Sequence, residues 1–535
     1  MTSHLRIVVA SAAAGILVGL VAAAAIPVSA SRAPVSGDEP FYLITAISLW
    51  EDGSLDVADE YDDPEYPEYR RSRPQGRVLP DGRIVEPHDP LLPALLAAPA
   101  GLGGAAGAKA ALAVLAGALA ALLVWIAVRR LDVGVATAVV AVVGLGGTLP
   151  LVAYGSQLYP ELPAALATTV GVAALLSPGR RAWFAGIVIA VVALPWLSVK
   201  YVPVAGVLAV LGLLRARREG RGARALVAVL GVACVAYVAA HLAWYGGLTV
   251  YATGRFFAEH GGEASVLGTA PNYPGRTIRL IGLLVDRDVG LAAWQPAWLL
   301  GVPAIVAFLR RDALRAPVLA PLVVGWLGAT FLAATMHGWW FPGRQVVVVL
   351  PLAVLAVAAW ANASRTRRAA LLALVSLGAF TTAWFLVAGR QGEATWIYPF
   401  SIGDPWRGIW TAALPAYQRL AAADLARHAA WLLAILLLAL QGWRSASGRG
   451  LSAPGARPGA GTRPGPTPSA RPSPSARPGP SPGARPGPSP GARPGAGAAV
   501  ELTDIGAVVA AARAEREGGR SGSDEREDPR AGPDT

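Results

Sequence analysis

The chain is poor in the residues that crosslink a fold and in those that carry charge. One cysteine, Cys234, stands among 535 residues and lies within an apolar run. That excludes an intramolecular disulfide and a cysteine-based zinc site. Charged residues make up 15% of the chain against 54% hydrophobic, a balance that excludes a soluble protein of this size and indicates a polytopic membrane protein. Lysine is nearly missing: Lys109 and Lys200 are the only two, so the net charge of +12 rests on arginine. Those arginines are scattered through short connections and the tail without interleaved aromatics, so nucleic acid is not the partner they indicate. The positive-inside rule accounts for them better. Ionisable residues are scarce inside the apolar runs, where ion-coupled transporters keep carboxylates and histidines.

What is present is a succession of apolar runs. The first, Ile7 to Ala30, follows His4 and Arg6 and ends on Val28-Ser29-Ala30, which resembles a signal-peptidase site. It is longer than a secretory apolar region of about 7–15 residues and suits the roughly 20 needed to cross a bilayer, so it reads as a retained first helix. Leu91 to Leu102 is too short and too broken by Pro and Gly to span, and reads as re-entrant or interfacial. Further runs follow at about 106–128, 133–153, 158–176, 182–197, 199–214, 225–245, 290–309, 316–336, 345–361, 369–388 and 428–443. The expectation is an all-α polytopic membrane protein over residues 1–443, with about 12 transmembrane helices and a large first extracytoplasmic loop, 31–89, carrying interfacial helices.

Charge in the connections orients these spans. Alternate loops hold Arg129 and Arg130; Arg180 and Arg181; Arg215, Arg217, Arg218, Arg221 and Arg224; Arg310, Arg311 and Arg315; and Arg365, Arg367 and Arg368. The intervening loops hold the aromatic, acidic and Gly/Pro-rich segments. Both termini are therefore placed in the cytoplasm of a multi-pass cell-membrane protein, and the long loops outside. Residues 444–535 are a different material. Ala476 to Gly491 holds two copies of Ala-Arg-Pro-Gly-Pro-Ser-Pro-Gly, a composition that cannot bury a core and reads as a disordered, partly polyproline-II tail with one short helix over Glu501 to Glu517.

The first outer loop opens on Gly37-Asp38-Glu39-Pro40-Phe41-Tyr42. Apolar Leu43, Ala46, Ile47 and Trp50 share one face of a helix from Glu39 to Glu51, expected to lie along the membrane surface. Pro40 suits its first turn and Asp38 its N-cap. Beyond it come an acidic section, Asp56 to Tyr69, and a basic one, Arg70 to Arg83. The other ionisable candidates gather at the same face: His88 and Asp89, Glu161, Lys200, Asp286, Arg287 and Asp288, His337, and Arg344.

Gly-Asp-Glu-Pro-Phe-Tyr after the first span, Leu158-Tyr159-Pro160-Glu161-Leu162-Pro163, Pro195-Trp196-Leu197-Ser198-Val199-Lys200-Tyr201, Asp286-Arg287-Asp288-Val289-Gly290-Leu291 and Trp339-Trp340-Phe341-Pro342-Gly343-Arg344 follow one another in this order. Over about residues 5–443 the chain resembles bacterial members of the GT-C glycosyltransferase superfamily, which includes protein O-mannosyltransferases, aminoarabinose transferases and arabinosyltransferases. The resemblance implies a polyprenyl-phosphate-linked sugar as donor, a site at the outer leaflet, and inversion at the anomeric carbon. It places an acidic residue of the first loop as the catalytic base, matched here by Asp38.

Such a transfer needs a base for the acceptor hydroxyl and cations for the departing phosphate. Asp38 is the expected base, with Glu39 as its neighbour or the alternative. Lys200 and Arg344 are expected to converge on the donor phosphate, an anion between them being the simplest reason for two cations to meet. Arg344 also suits a plain membrane boundary beside Trp339 and Trp340. His88 and Asp89 orient substrate or join Asp38 around a divalent ion, and the metal requirement is open. Glu161, Arg287 and His337 are substrate-orienting candidates, although Glu161 also reads as a loop-fixing acceptor in a Pro-flanked turn and Arg287 as a structural partner of Asp286 and Asp288. Glu259, His260 and Glu263 are weaker candidates for covering the acceptor site. The acceptor is an extracytoplasmic glycan, glycolipid or protein. Two other classes stay open: a transporter or flippase of envelope precursors, and a non-catalytic assembly protein.

Overall fold

The computed structural model describes residues 3–447 apart from 29–34, 36, 63–72, 264–270, 311, 339, 398 and 418–421. The Pro/Gly-rich tail and the short helix expected in it lie outside the described residues, as do Trp339 and much of the acidic-then-basic section of the first loop. Among the described residues the chain is all helical, with two isolated β-bridges and no strand.

The principal helices are α1 (Ser3–Ala24), α2 (Glu39–Glu51), α3 (Ala58–Asp62), α4 (Leu91–Arg130), α5 (Val135–Gly146), α6 (Glu161–Leu175), α7 (Arg180–Leu197), α8 (Val202–Arg218), α9 (Ala223–Tyr245), α10 (Gly301–Phe308), α11 (Asp312–Leu327), α12 (Leu350–Ala361), α13 (Arg365–Arg390) and α14 (Ala422–Ser447). Every apolar run read from the sequence is helical over much of its length. Six helical stretches are long and apolar enough to cross a membrane: His4–Ala24, Leu91–Arg130, Val199–Arg218, Ala223–Ala252, Arg365–Arg390 and Asp424–Ser445. The other six are shorter apolar helices of 10–17 residues. Breaks explain much of the shortening. Short helical turns replace a continuous rod before α10, and α11 carries Pro317 and Pro321 and ends in a π-helical turn, Gly328–Leu332.

Packing separates a sealed centre from an apolar rim. Every residue of α12 is buried, as befits a helix that is apolar all round and walled by others. On α9 and α14 the reverse holds: Val227, Val232, Val235, Leu432, Leu436 and Leu437 are exposed. Bands of this kind on two long helices match a lipid-facing surface. Small residues bring α1 and α4 together. A Cβ placed on Gly15 would lie 2.7 Å from the Gly117 carbonyl oxygen, and one on Gly19 3.2 Å from that of Ala113, the close backbone approach that Gly-x-x-x-Gly spacing permits.

Helix α4 is interrupted at Gly103 and Gly104, whose backbone is not helical. The segment before it is the short run Leu91 to Leu102, so the break falls where the sequence separates that run from the span after it. Helix α2 starts and stops as expected, yet it does not lie on a surface. Glu39 through Ser48 are all buried, because α2 packs against α4 while the loop closes over it. Trp50 is its exposed end, and a Cβ on Gly101 would overlap the Trp50 ring. The rest of the loop is tied by two carboxylates. Asp56 accepts from the Ile84 N–H at 2.8 Å and the Ala58 N–H at 3.2 Å. Glu86 accepts from the Gln75 and Gly76 N–H groups at 3.1 Å each and from the Tyr61 hydroxyl at 2.6 Å.

Candidate functional site

Five element ends meet at one place: the start of α2, the residues before α4, the start of α6, the turn between α7 and α8, and the turn leading to α12. Each is fixed locally. Pro160 precedes Glu161, the first residue of α6, where the helix N-terminus favours a carboxylate. Gly343 takes φ +89°, and a Cβ there would also press on Leu291 and Pro150 at 3.1 Å, so glycine turns the chain to bring Arg344 inward. The Tyr154 hydroxyl donates to the Phe341 carbonyl and holds the same turn.

Asp38, Arg344, Glu161 and Lys200 form one chain of charges. Arg344 Nη1 donates to Asp38 Oδ2 at 2.9 Å, and Arg344 Nε to Glu161 Oε1 at 2.7 Å. Lys200 Nζ donates to the same Glu161 oxygen at 2.6 Å. The middle is buried and the two ends are open: the Glu161 and Arg344 side chains are 0% and 7% exposed, those of Asp38 and Lys200 29% and 31%. Arg344 also lies over the rings of Tyr159, at 4.0 Å, and Trp340, at 4.8 Å, stacking that suits a planar guanidinium. Lys200 and Arg344 therefore converge as expected. The anion between them is the Glu161 carboxylate, so a bound phosphate is not needed to explain their meeting.

Two further buried pairs flank this chain. Glu39 accepts from the Leu158 N–H at 2.9 Å and pairs with Lys109 at 3.3 Å, both side chains being closed to solvent. Asp89 accepts from the Val199 N–H at 3.1 Å, and its other oxygen faces His241 Nε2 at 3.4 Å. Asp89 thus turns toward α9 and the turn before α8. The His88 ring packs on Tyr42 at 4.3 Å and Phe41 at 6.0 Å. Among the described residues, Asp38, His88 and Asp89 do not form a group of metal-ligand atoms close enough to share an ion.

The environment sets protonation. Burial pushes the Asp38 carboxyl up most, but the charge and hydrogen bond of Arg344, with smaller contributions from His88 and Gln75, together hold the group below its usual range. Burial lowers His88 to about 4 against the pull of Asp38, so its ring is neutral at neutral pH. The N-cap expected of Asp38 is absent as a side-chain bond, since α2 begins without one and this carboxylate reaches Arg344. The Asp38 backbone N–H instead donates to the Tyr159 hydroxyl at 3.2 Å.

Several buried polar atoms here have no hydrogen-bond partner among the described residues: His88 Nε2, Glu161 Oε2, the Tyr201 hydroxyl and both amide atoms of Gln157. Leaving such atoms unpaired costs about 1–3 kcal/mol each, so they are ready to receive a polar ligand. Toward the far end of α2, and lined by none of the four charged residues, lies a cavity of about 450 Å³ walled by Leu49, Leu55, Leu91, Trp196, Trp244 and Arg83. Trp196 also packs on His241, at 5.4 Å between rings.

The remaining candidates lie elsewhere or have other work. Arg287 does not pair with its neighbours as expected: its side chain donates to the Leu414 carbonyl at 3.3 Å and its N–H to the Pro415 carbonyl at 2.9 Å. Asp286 accepts from the N–H groups of Asp288, Val289 and Tyr417. His337 packs on Phe400 at 5.3 Å and Trp340 at 6.4 Å, so among the described residues it meets the charge chain through the Trp340 ring. Glu263 closes its own loop on Leu248 and Thr249, and His260 stacks on Phe256. Sequence reasoning passed over three residues of the site. Lys109 and His241 both lie within apolar runs, where an ionisable residue is itself a signal. Tyr159 stood inside a quoted motif without a role. No protein family, curated protein or solved structure matches this chain.

Proposed function

We propose that this chain is a membrane glycosyltransferase of the GT-C type, moving a sugar from a polyprenyl-phosphate donor to an extracytoplasmic acceptor hydroxyl with inversion. In this reading all twelve apolar segments cross the bilayer, both termini are cytoplasmic and the charge chain faces outward. The observation that carries it is the chain itself: a carboxylate and a lysine, each partly open, joined through a buried Arg344–Glu161 pair. A base and a phosphate clamp are what the transfer requires at one place.

Asp38 is the better base of the two acidic candidates. Glu39 is wholly buried and held by Leu158 and Lys109, whereas Asp38 is partly exposed and ionised. The acceptor oxygen attacks the anomeric carbon as the bond from that carbon to the phosphate oxygen breaks. The phosphate leaves with the bonding electron pair, and the hydroxyl proton passes to Asp38. Lys200 and Arg344 offset the charge that develops on the leaving phosphate. The unpaired atoms of His88, Gln157 and Tyr201 are suited to sugar hydroxyls, and the apolar cavity to the isoprenoid chain.

The test is transfer by purified protein in liposomes, supplied with polyprenyl-phosphate sugars, together with mass spectrometry of envelope glycans and glycoproteins with and without the protein. An envelope without a missing sugar, and no transfer from any donor tried, defeats the proposal. Buried Lys109 and His241 favour a second reading, a flippase, because ionisable groups on membrane helices often mark a transport path. Lys109 lies just past the α4 break and His241 near the end of α9, however, and both pair with carboxylates of the first loop, so neither sits alone at mid-helix. Donor lipid scrambled between leaflets without sugar transfer would establish the flippase.

A further inference from the structure

A second acidic cluster lies at the other end of α2. Asp52 caps that helix, and Asp59 and Glu60 belong to α3. One carboxylate oxygen from each can be chosen so that all three lie within 4.8 Å of one another. Two are exposed, but Glu60 is 4% exposed and neither of its oxygens has a hydrogen-bond partner among the described residues. The nearby Ser48 hydroxyl is already given to the carbonyls of Ser54 and Asp56. Among the described residues none of the three carboxylates has an ion-pair partner.

A buried carboxyl with two empty oxygens beside two more carboxylates either keeps a proton or is joined to them by a cation. We infer that Asp52, Asp59 and Glu60 bind a hard divalent cation, calcium, that ties the end of α2 to α3. Oxygens on one calcium ion at about 2.4 Å span up to about 4.8 Å, and calcium tolerates irregular cages of carboxylates where magnesium keeps several waters and an octahedral shell. The ion is a fastener rather than a reagent: it lies at the opposite end of α2 from Asp38 and holds the segment whose Asp56 anchors Ile84.

The test uses the full-length protein in detergent, stripped with EDTA and titrated with calcium and with magnesium by calorimetry, with thermal unfolding followed in parallel. One calcium per chain is expected, bound more tightly than magnesium and raising the melting temperature. Glu60→Gln and the exposed Asp59→Asn should each weaken binding tenfold or more, while Asp81→Asn, in the same loop but paired with Arg83, leaves it unchanged. No saturable binding of either ion overturns the proposal, as does binding that Glu60→Gln and Asp59→Asn leave intact. A parent protein whose melting temperature calcium leaves unchanged overturns it too, since Glu60 is then a neutral buried acid. Binding is read without transfer activity, so the result stands apart from the proposed glycosyl transfer.

Discussion

Two charged motifs that look alike in sequence are used in opposite ways. Asp286 and Arg287 are tied to backbone: Asp286 takes three N–H groups, while the Arg287 side chain gives to the Leu414 carbonyl and its N–H to that of Pro415. Asp38 and Glu161 are held by cationic side chains brought from distant elements. Groups bonded to backbone cannot let go without unfolding a loop, whereas side-chain pairs exchange partners by turning a few bonds. The first arrangement is architecture, and the second is the one able to serve a reaction.

The sharpest way to break this contrast is Asp38→Asn. It keeps the shape and removes the proton acceptor, so transfer by reconstituted protein should fall about 10²–10⁴-fold with protein yield little changed. Asp286→Asn should do the converse, lowering the yield of folded protein while the rate per folded molecule stays near the parent's. If Asp38→Asn retains transfer while Glu39→Gln abolishes it, the base is Glu39.

Arg344→Met should come next in effect. It leaves Glu161 with only Lys200 and Asp38 with no strong partner, and breaking a buried pair costs about 3–5 kcal/mol. A drop in melting temperature that Glu161→Gln partly restores in the double variant is the expected result. Equal melting temperatures for parent and Arg344→Met would show that the pair carries no stability.

Lys200→Met should be milder, because this side chain is partly exposed. It should raise the donor concentration needed for half-maximal transfer roughly tenfold, an expectation consistent with loss of one charge-assisted contact, and leave acceptor dependence alone. Arg287→Met should change neither. If Lys200→Met and Arg287→Met behave alike, Lys200 is a boundary anchor.

The smallest expected effect is that of pH. A carboxyl whose folded pKa is lowered gives stability that is present above its unfolded value and lost as pH falls through the folded one. For Asp38 that loss lies below the usual carboxylate range, and His88 titrates only near about 4. Transfer should therefore be flat between about pH 5 and 8 as far as this site governs it, whereas stability should fall as pH drops from the ordinary histidine value of 6.5 toward about 4, because the unfolded chain takes up a proton that buried His88 refuses. An acid limb near pH 6 that His88→Gln removes would show that His88 is charged in the working protein.

Much of the architecture was legible because it follows from local rules. Hydropathy located the helical runs, Pro40 and the apolar spacing bounded α2, and Gly-rich sequence separated Leu91 to Leu102 from the helix beyond. Periodicity could not say what surrounds a helix, so α2 was expected on a surface and is buried. Partner choice was the harder matter. Arg344 and Asp38 are 306 positions apart and Arg344 and Glu161 183, and only the order of helices in the bundle decides which charges meet. Glu161 looked like a turn residue for this reason, since its Pro-flanked setting was visible and its two cations were not. A lysine at the start of a span has a simple explanation as an anchor, so the role of Lys109 becomes visible only with Glu39 beside it.

The oxygen that Glu161 offers to both Lys200 and Arg344 supplies the pair with a resident counter-ion. A free sulfate or phosphate from solution would have to dislodge a carboxylate already seated at 2.6 and 2.7 Å, and it brings no other binding energy with which to do so. A phosphate attached to a long hydrocarbon arrives with that energy in its tail. If the site takes a lipid-linked phosphate as proposed, the shared oxygen serves as a doorkeeper that sorts anions by what they are tethered to.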